Sequence, residues 1–171
     1  ITWGPNWEDD LAGEFASREA RRALESGLHV MMFSDNVSIE DEVALKTLAH
    51  DKGLLMMGPD CGTAYIGGVG LCFANAVRAG NIGIVGASGT GSQEVAARIH
   101  DFGGGITQII GTGGRDLNEK VGGIMMIDGI NALARDPAVT EVHAAPGNPG
   151  IGAVATLHDV DPMDGPALAA L

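Results

Sequence analysis

Glycine falls at the ends of short apolar runs, and that placement limits the possible folds more than any other feature of this sequence. It makes up 27 of the 171 residues, roughly twice its usual share of about 7%. The clusters at 67–70, 103–105, 111–114 and 122–123 follow no fixed period, which excludes collagen and a glycine-rich linker. Glycines that close a buried strand and open the next turn suit an open α/β sheet, where ligands approach the backbone at strand ends.

The runs between the glycines support that class. Residues 14–26 have helical periodicity, with Phe15, Ala20, Ala23 and Leu24 near one face and Gly27 placed to end the helix. Leu28–Phe33 reads as a short strand buried on both faces. Ser38, Glu42 and the apolar positions Val43, Ala44, Leu45 and Leu48 predict a helix capped near Ser38 and stopped by Gly53. Leu54–Met57 is a second buried strand, ended by Gly58-Pro59. A less regular stretch, 59–81, is expected to cross between lobes. Beyond it come a strand at Ile82–Val85, a tight loop at Gly86–Gly91, and a helix from Ser92 to Phe102 with Val95, Ile99 and Phe102 inward. Next are a strand at Ile106–Ile110, a glycine loop at Gly111–Asp116, a helix over roughly 121–135 and a strand at Val139–Ala144. From Pro146 the texture turns to Pro, Gly and Ala, with Val154–Leu157 as a further strand candidate. Strands alternating with helices over short connections predict a parallel sheet with right-handed crossovers.

Charge narrows the function. Ten Lys and Arg against 22 Asp and Glu give a formal charge of −12, which repels nucleic-acid phosphates and anionic lipid. Arg18, Arg21 and Arg22 are interleaved with Glu14, Glu19 and Glu25, as on a solvated helix face. No apolar run nears the roughly 20 residues that span a bilayer, and the N-terminus has no signal-peptide pattern. Two cysteines, Cys61 and Cys72, with seven Met fit a reducing, cytoplasmic setting. The chain opens on Ile1 as if within a domain, so it reads as a fragment.

Three loops carry candidate chemistry. Gly86-Ala87-Ser88-Gly89-Thr90-Gly91-Ser92 lies between a predicted strand and a predicted helix. A helix N-terminus there leaves unpaired N–H groups and about half a positive charge for a phosphate or carboxylate. Ser88, Thr90 and Ser92 add hydroxyls. The alternative is a structural turn capped by Ser88 or Thr90. The loop is neither a Walker loop, since no Lys follows, nor a dinucleotide fingerprint. Gly111-Thr112-Gly113-Gly114-Arg115-Asp116 follows the next strand, on the same sheet edge if the crossover rule holds. Arg115 either binds an anion or braces the loop against Asp116 or Glu119. In Gly58-Pro59-Asp60-Cys61-Gly62-Thr63, Cys61 is a nucleophile only if a base lies near; otherwise it is a small packing residue. The five His are scattered, without metal-ligand spacing, so no metal is expected.

Together these segments resemble a known superfamily. Trp3-Gly-Pro-Asn-Trp-Glu, Met56-Met-Gly-Pro-Asp-Cys-Gly-Thr, Gly80-Asn-Ile-Gly-Ile-Val-Gly-Ala-Ser-Gly-Thr-Gly-Ser-Gln-Glu and Gly111-Thr-Gly-Gly-Arg-Asp-Leu, in this order, resemble succinyl-CoA synthetase α-subunits. The resemblance covers residues of about 1–135 and is specifically to the FdrA branch of acyl-CoA-synthetase-like proteins. It implies an α/β fold: the later part of a CoA-binding Rossmann-like domain over 1–79, then an incomplete flavodoxin-like ligase domain over 80–145. Carried over by position, Ser34, Asp35 and Asn36 line the CoA site and Asp60 and Cys61 lie near the thioester end. Ser88, Gly89, Thr90 and Gly91 open the helix that stabilises a phosphate, and Gly113, Gly114 and Arg115 form the neighbouring phosphate-side loop. CoA, a phosphate or acyl-phosphate, a partner with an ATP-grasp fold and an oligomeric assembly are implied with them.

The first glycine-rich CoA loop and the Gly-His-Ala-Gly phosphohistidine segment of the synthetases are absent from this sequence. Acid–thiol ligase chemistry is therefore an expectation for the intact system. A carbamoyltransferase subunit of the oxamate type, using carbamoyl phosphate in allantoin breakdown, and an inactive domain for subunit contact are the alternatives. Residues of about 132–171 are similar to the N-terminal domain of phosphoribosylamine–glycine ligase, which implies a tail of separate origin over 146–171 and a junction between about 113 and 138.

Overall fold

The computed structural model describes residues 10–145 and 155–158. The Trp3–Glu8 segment of the resemblance and nearly all of the tail lie outside the described residues. The first unit is α1 (Asp10–Glu25), β1 (Val30–Met31), α2 (Ile39–Asp51) and β2 (Met56–Met57). The second comprises β3 (Thr63–Ile66), β4 (Val69–Cys72), β5 (Ala79–Gly86), α3 (Gly89–Asp101), β6 (Ile106–Gly111), α4 (Ile124–Arg135), β7 (Glu141–Ala145) and β8 (Ala155–His158).

Local chemistry explains the helix limits. Ser38 has extended backbone and its side chain accepts the Asp41 N–H, capping α2 as expected. Gly27, Gly53 and Gly103 stop α1, α2 and α3 by one device. Each has positive φ, and a Cβ on any of them would meet nothing within 4 Å, so backbone conformation and not space selects glycine. After α1, the Leu28 N–H reaches the Ala23 carbonyl and the Gly27 N–H the Leu24 carbonyl, the Schellman pattern; Leu54 to Ala49 and Gly53 to His50 repeat it after α2.

β1 and β2 form a two-stranded parallel sheet, separate from a six-stranded sheet ordered β4-β3-β6-β5-β7-β8. Within the latter, β5, β6 and β7 are parallel, while β3 runs antiparallel to β6 and β8 antiparallel to β7. Side chains alternate across this sheet as strand geometry requires. Ile84 and Ile109 face Ala96 of α3; Val85 and Ile110 face Ile130 and Leu133 of α4. The two helices thus cover opposite faces, and β5 sits between both of its successors. A strand order that reverses at β5 makes a topological switch point, and in open α/β sheets ligands bind outside the strands' carboxyl ends at such a point.

Several expectations need correction. The stretch 59–81 is not a mere crossing: it contains the β3–β4 hairpin, turned at Gly67-Gly68, which extends the main sheet. The sheet is consequently mixed, not wholly parallel. Phe15 and Phe102 point outward, 46% and 86% exposed; Ala16, Ala20 and Leu24 form the buried stripe of α1. The first buried strand shortens to two residues and leaves Leu28 exposed. The arginine cluster is solvated, with Arg22 Nη1 3.0 Å from Glu19 and Arg18 stacked over Phe15. No helix among the described residues is long and apolar enough to cross a membrane.

Candidate anion and CoA site

Four loops meet at the carboxyl ends of β1, β2, β5 and β6. The loop after β2 lies against the loop after β6: a Cβ on Gly111 would sit 2.6 Å from the Cys61 sulfur, and one on Gly114 would sit 3.4 Å from Asp60 Oδ2. The loop after β5 joins them, since the Thr112 N–H donates to the Gly86 carbonyl (2.8 Å) and a Cβ on Gly89 would be 3.3 Å from Thr63 Oγ1. Gln93 Nε2 ties α3 to the hairpin by donating to both Thr63 Oγ1 and the Phe73 carbonyl, each at 2.8 Å. The loop after β1 reaches the same place, where the Ser34 carbonyl accepts the Asp60 N–H (3.0 Å) and Phe33 packs edge-on against Phe73, their ring centroids 5.7 Å apart.

The α3 N-terminus differs in detail from its sequence reading. The helix begins at Gly89, with Ser88 as its N-cap. Ser88 Oγ accepts the Gly91 N–H at 3.1 Å, and Ser92 Oγ donates to the Ser88 carbonyl at 2.9 Å. Gly91 and Ser92 are thereby committed to the cap. Among the described residues no protein group accepts the N–H of Gly89 or Thr90, which leaves two amides at the positive end of α3. Thr90 is exposed, with its hydroxyl 3.3 Å from that of Ser88.

Cys61 takes its packing alternative. Only 3% exposed, its thiol donates to the Thr63 carbonyl at 3.6 Å. Burial pushes its pKa up to about 12, so no thiolate forms at neutral pH. Cys72 is exposed. Titration of the native protein with a disulfide reagent is expected to find one fast thiol, lost in Cys72→Ser; a second fast thiol in that variant would contradict the burial of Cys61.

Asp60 is exposed, in a left-handed conformation with φ of 60°. Partial desolvation raises its pKa, nearby Asp35 raises it further, and Arg115 opposes both. A carboxyl whose pKa rises on folding favours the fold at low pH, and that contribution fades as pH climbs through its folded value. Asp35 and Asn36 are exposed, and Ser34 is half-buried.

The loop after β6 holds what periodicity alone did not reveal. Lys46, Glu42 and Asp116 are each fully buried. Lys46 Nζ donates to Glu42 Oε1 (2.7 Å), Asp116 Oδ1 (2.7 Å) and the Thr112 carbonyl (3.0 Å). Asp116 in turn accepts the N–H groups of Met125 and Met126 and so caps α4, whose N-cap residue Gly123 has no side chain to do it. Arg115 Nη2 lies 2.9 Å from Glu42 Oε2 and donates to the Val37 carbonyl at 2.7 Å. Arg115 is thus a brace, but against Glu42, not Asp116 or Glu119. A signal for the cluster was available: positions 42, 45, 46 and 49 have the spacing of a buried helical stripe, and two of the four are oppositely charged and one turn apart.

Comparison with known proteins adds to this geometry. Residues 77–154 match the family described as CoA binding domain. A malate–CoA ligase subunit alpha from Methylorubrum extorquens is 26% identical over 140 residues, covering 77% of this chain and 46% of that protein. By these matches the chain is similar to CoA-binding domains and to CoA-ligase alpha subunits. The uncharacterized protein YahF of Escherichia coli (strain K12) is 68% identical over 143 residues, 84% of this chain and 28% of that protein. Forty residues are 58% identical to a phosphoribosylamine–glycine ligase from Streptomyces coelicolor, covering 23% of this chain and 10% of that protein. The fold is shared with an ATP citrate lyase from Methanothrix soehngenii solved with citrate and coenzyme A: TM-score 0.65 and 21% identity, covering 77% of this chain and 23% of that one. The chain therefore spans about a quarter to a half of the length of these CoA-ligase-like relatives and YahF. The CoA-binding match falls on the second unit, the one read from sequence as the ligase domain.

Proposed function

We propose that this chain is the ligand-holding part of an FdrA-type, acyl-CoA-ligase-like protein. In this reading an acyl-phosphate or phosphate lies against the free amides of Gly89 and Thr90, with Gly113 and Gly114 alongside. Ser34, Asp35, Asn36 and Asp60 flank the CoA arm, so both units share in the CoA site. The convergence of four loops at a switch point, with two helix amides that meet no acceptor among the described residues, is the observation that carries this reading.

Bound CoA supplies the thiol that takes the acyl group. The chain's own part is electrostatic: the α3 amides offset negative charge on a phosphoryl oxygen without needing to reorganise, and the hydrophobic packing beneath them holds the loop in place. Cys61, protonated and buried, is no nucleophile in this scheme. An ATP-grasp domain or subunit would make the phosphate donor available, in an oligomer or a longer polypeptide. The tail over 146–171 we assign a separate origin, in keeping with the phosphoribosylamine–glycine ligase match.

Calorimetric titration with CoA and with inorganic phosphate tests the reading; no heat from either would refute it. Gly89→Pro probes the helix terminus. The preceding Ser88 has φ −96° and ψ 122°, a conformation that tolerates a following proline. The substitution removes one N–H from the proposed anion site and is expected to weaken phosphate binding about tenfold. Gly89→Ala, which keeps that N–H, should retain it.

A further inference from the structure

We infer that Lys46 and Glu42, on the first unit, are positioning residues for the Gly113-Gly114 loop of the second. This deepens the proposed anion site and rests on it. A loop of two glycines has no side chains with which to pack, so beyond the backbone approach of Gly113 to Gly58-Pro59 its place is fixed through its carbonyls and flanking residues. Those are the groups that α2 holds. Lys46 takes the Thr112 carbonyl on one side of the glycines and the Asp116 carboxylate on the other, while Glu42 meets Arg115 between them. Thr112 is also pinned to β5, its N–H donating to the Gly86 carbonyl.

Adhesion alone does not require this arrangement. Met125 of α4 already packs into the core of the first unit, and its sulfur accepts the Met56 N–H. Replacing a buried ion pair by well-fitting apolar groups is often neutral or stabilising. Hydrophobic contact is non-directional, however, and cannot specify where a backbone carbonyl sits. Two directed N–H bonds from one ammonium, to the Thr112 carbonyl and the Asp116 carboxylate, can. The glycine loop then adopts its site geometry only with α2 docked, which couples the two units.

The test is the double substitution Glu42→Leu/Lys46→Met in the full chain, which removes one charge of each sign, keeps the volume and leaves Asp116 only the Met125 and Met126 N–H groups, at a cost in stability. We expect a folded protein by circular dichroism, with inorganic phosphate binding about tenfold weaker when measured well below its melting temperature. Exchange of the Thr112 and Asp116 amides should accelerate by a similar factor, while amides within β5 and β6 stay protected. Unchanged phosphate affinity and unchanged exchange at 112–116 would overturn the inference, whatever the melting temperature. If the wild-type protein takes up no phosphate, the anion site fails, and the exchange comparison alone decides the positioning role. Lys46→Gln, which retains a donor for the Thr112 carbonyl, serves both measurements if the double variant does not fold and is expected to show a smaller change in the same direction.

Discussion

Asp116→Ala lowers the unfolding free energy by about 3–5 kcal/mol, the cost of breaking a buried ion pair by removing one partner. Two losses combine in it. Lys46 keeps Glu42 but loses its second carboxylate in a site without solvent, and α4 loses the acceptor for the Met125 and Met126 N–H groups. Against a typical total of about 5–15 kcal/mol, that is a large share. Urea denaturation is the measurement, read as a lower midpoint at unchanged slope. Asp116→Asn keeps an oxygen for the helix amides and should fall between wild type and Asp116→Ala. A loss under about 1 kcal/mol for Asp116→Ala would mean that the cluster is wetter than its geometry.

Gly113→Ala is the second large effect, expected at about 2–4 kcal/mol. Gly113 has φ of 89°, and a Cβ there would overlap the Pro59 carbonyl oxygen and stand 3.0 Å from the Gly58 Cα. Both neighbours are backbone, so no side-chain rotation relieves the contact. Gly122→Ala is the matched control. Its φ is 77° but nothing lies within 4 Å of the added atom, so only the conformational cost of about 1 kcal/mol applies. The difference between the two variants measures the close approach of the loop after β2 to the loop after β6. It also bears on the candidate site, because that approach sets Gly114 beside Asp60. Equal losses would show that the loops can part at little cost.

Much of the fold follows from signals that are local in the chain. Ser38 and Ser88 cap helices because a hydroxyl beside an extended backbone reaches an amide three residues on. Gly27 and Gly53 end helices through their own φ. The strands at 82–85 and 106–110 were visible as apolar runs between glycines, and the order strand, glycine loop, helix placed Gly86–Ser92 and Gly111–Asp116 at one sheet edge. The hairpin at 63–72 does carry a local signal, the Gly67-Gly68 turn between Tyr65-Ile66 and Val69, but Gly70 interrupts its mostly exposed outer strand, which so lacks the alternation of a half-buried one. Periodicity places Phe102 inward, but it is the C-cap of α3, beyond the last turn that packs on the sheet.

For the candidate site, the sequence by itself determined which amides exist at the loop ends and which residue types flank them. It left open whether Cys61 is a nucleophile and what Arg115 holds. Tertiary structure decided both: burial fixes the Cys61 proton, and a contact across 73 positions (42 to 115) takes Arg115 to Glu42. Lys46 and Asp116, 70 positions apart, meet only after the two units dock. The physical reason is one of range. Caps, turns and periodicity act within a few residues and are written in the order of the chain, whereas burial of a charge depends on which partners arrive from elsewhere.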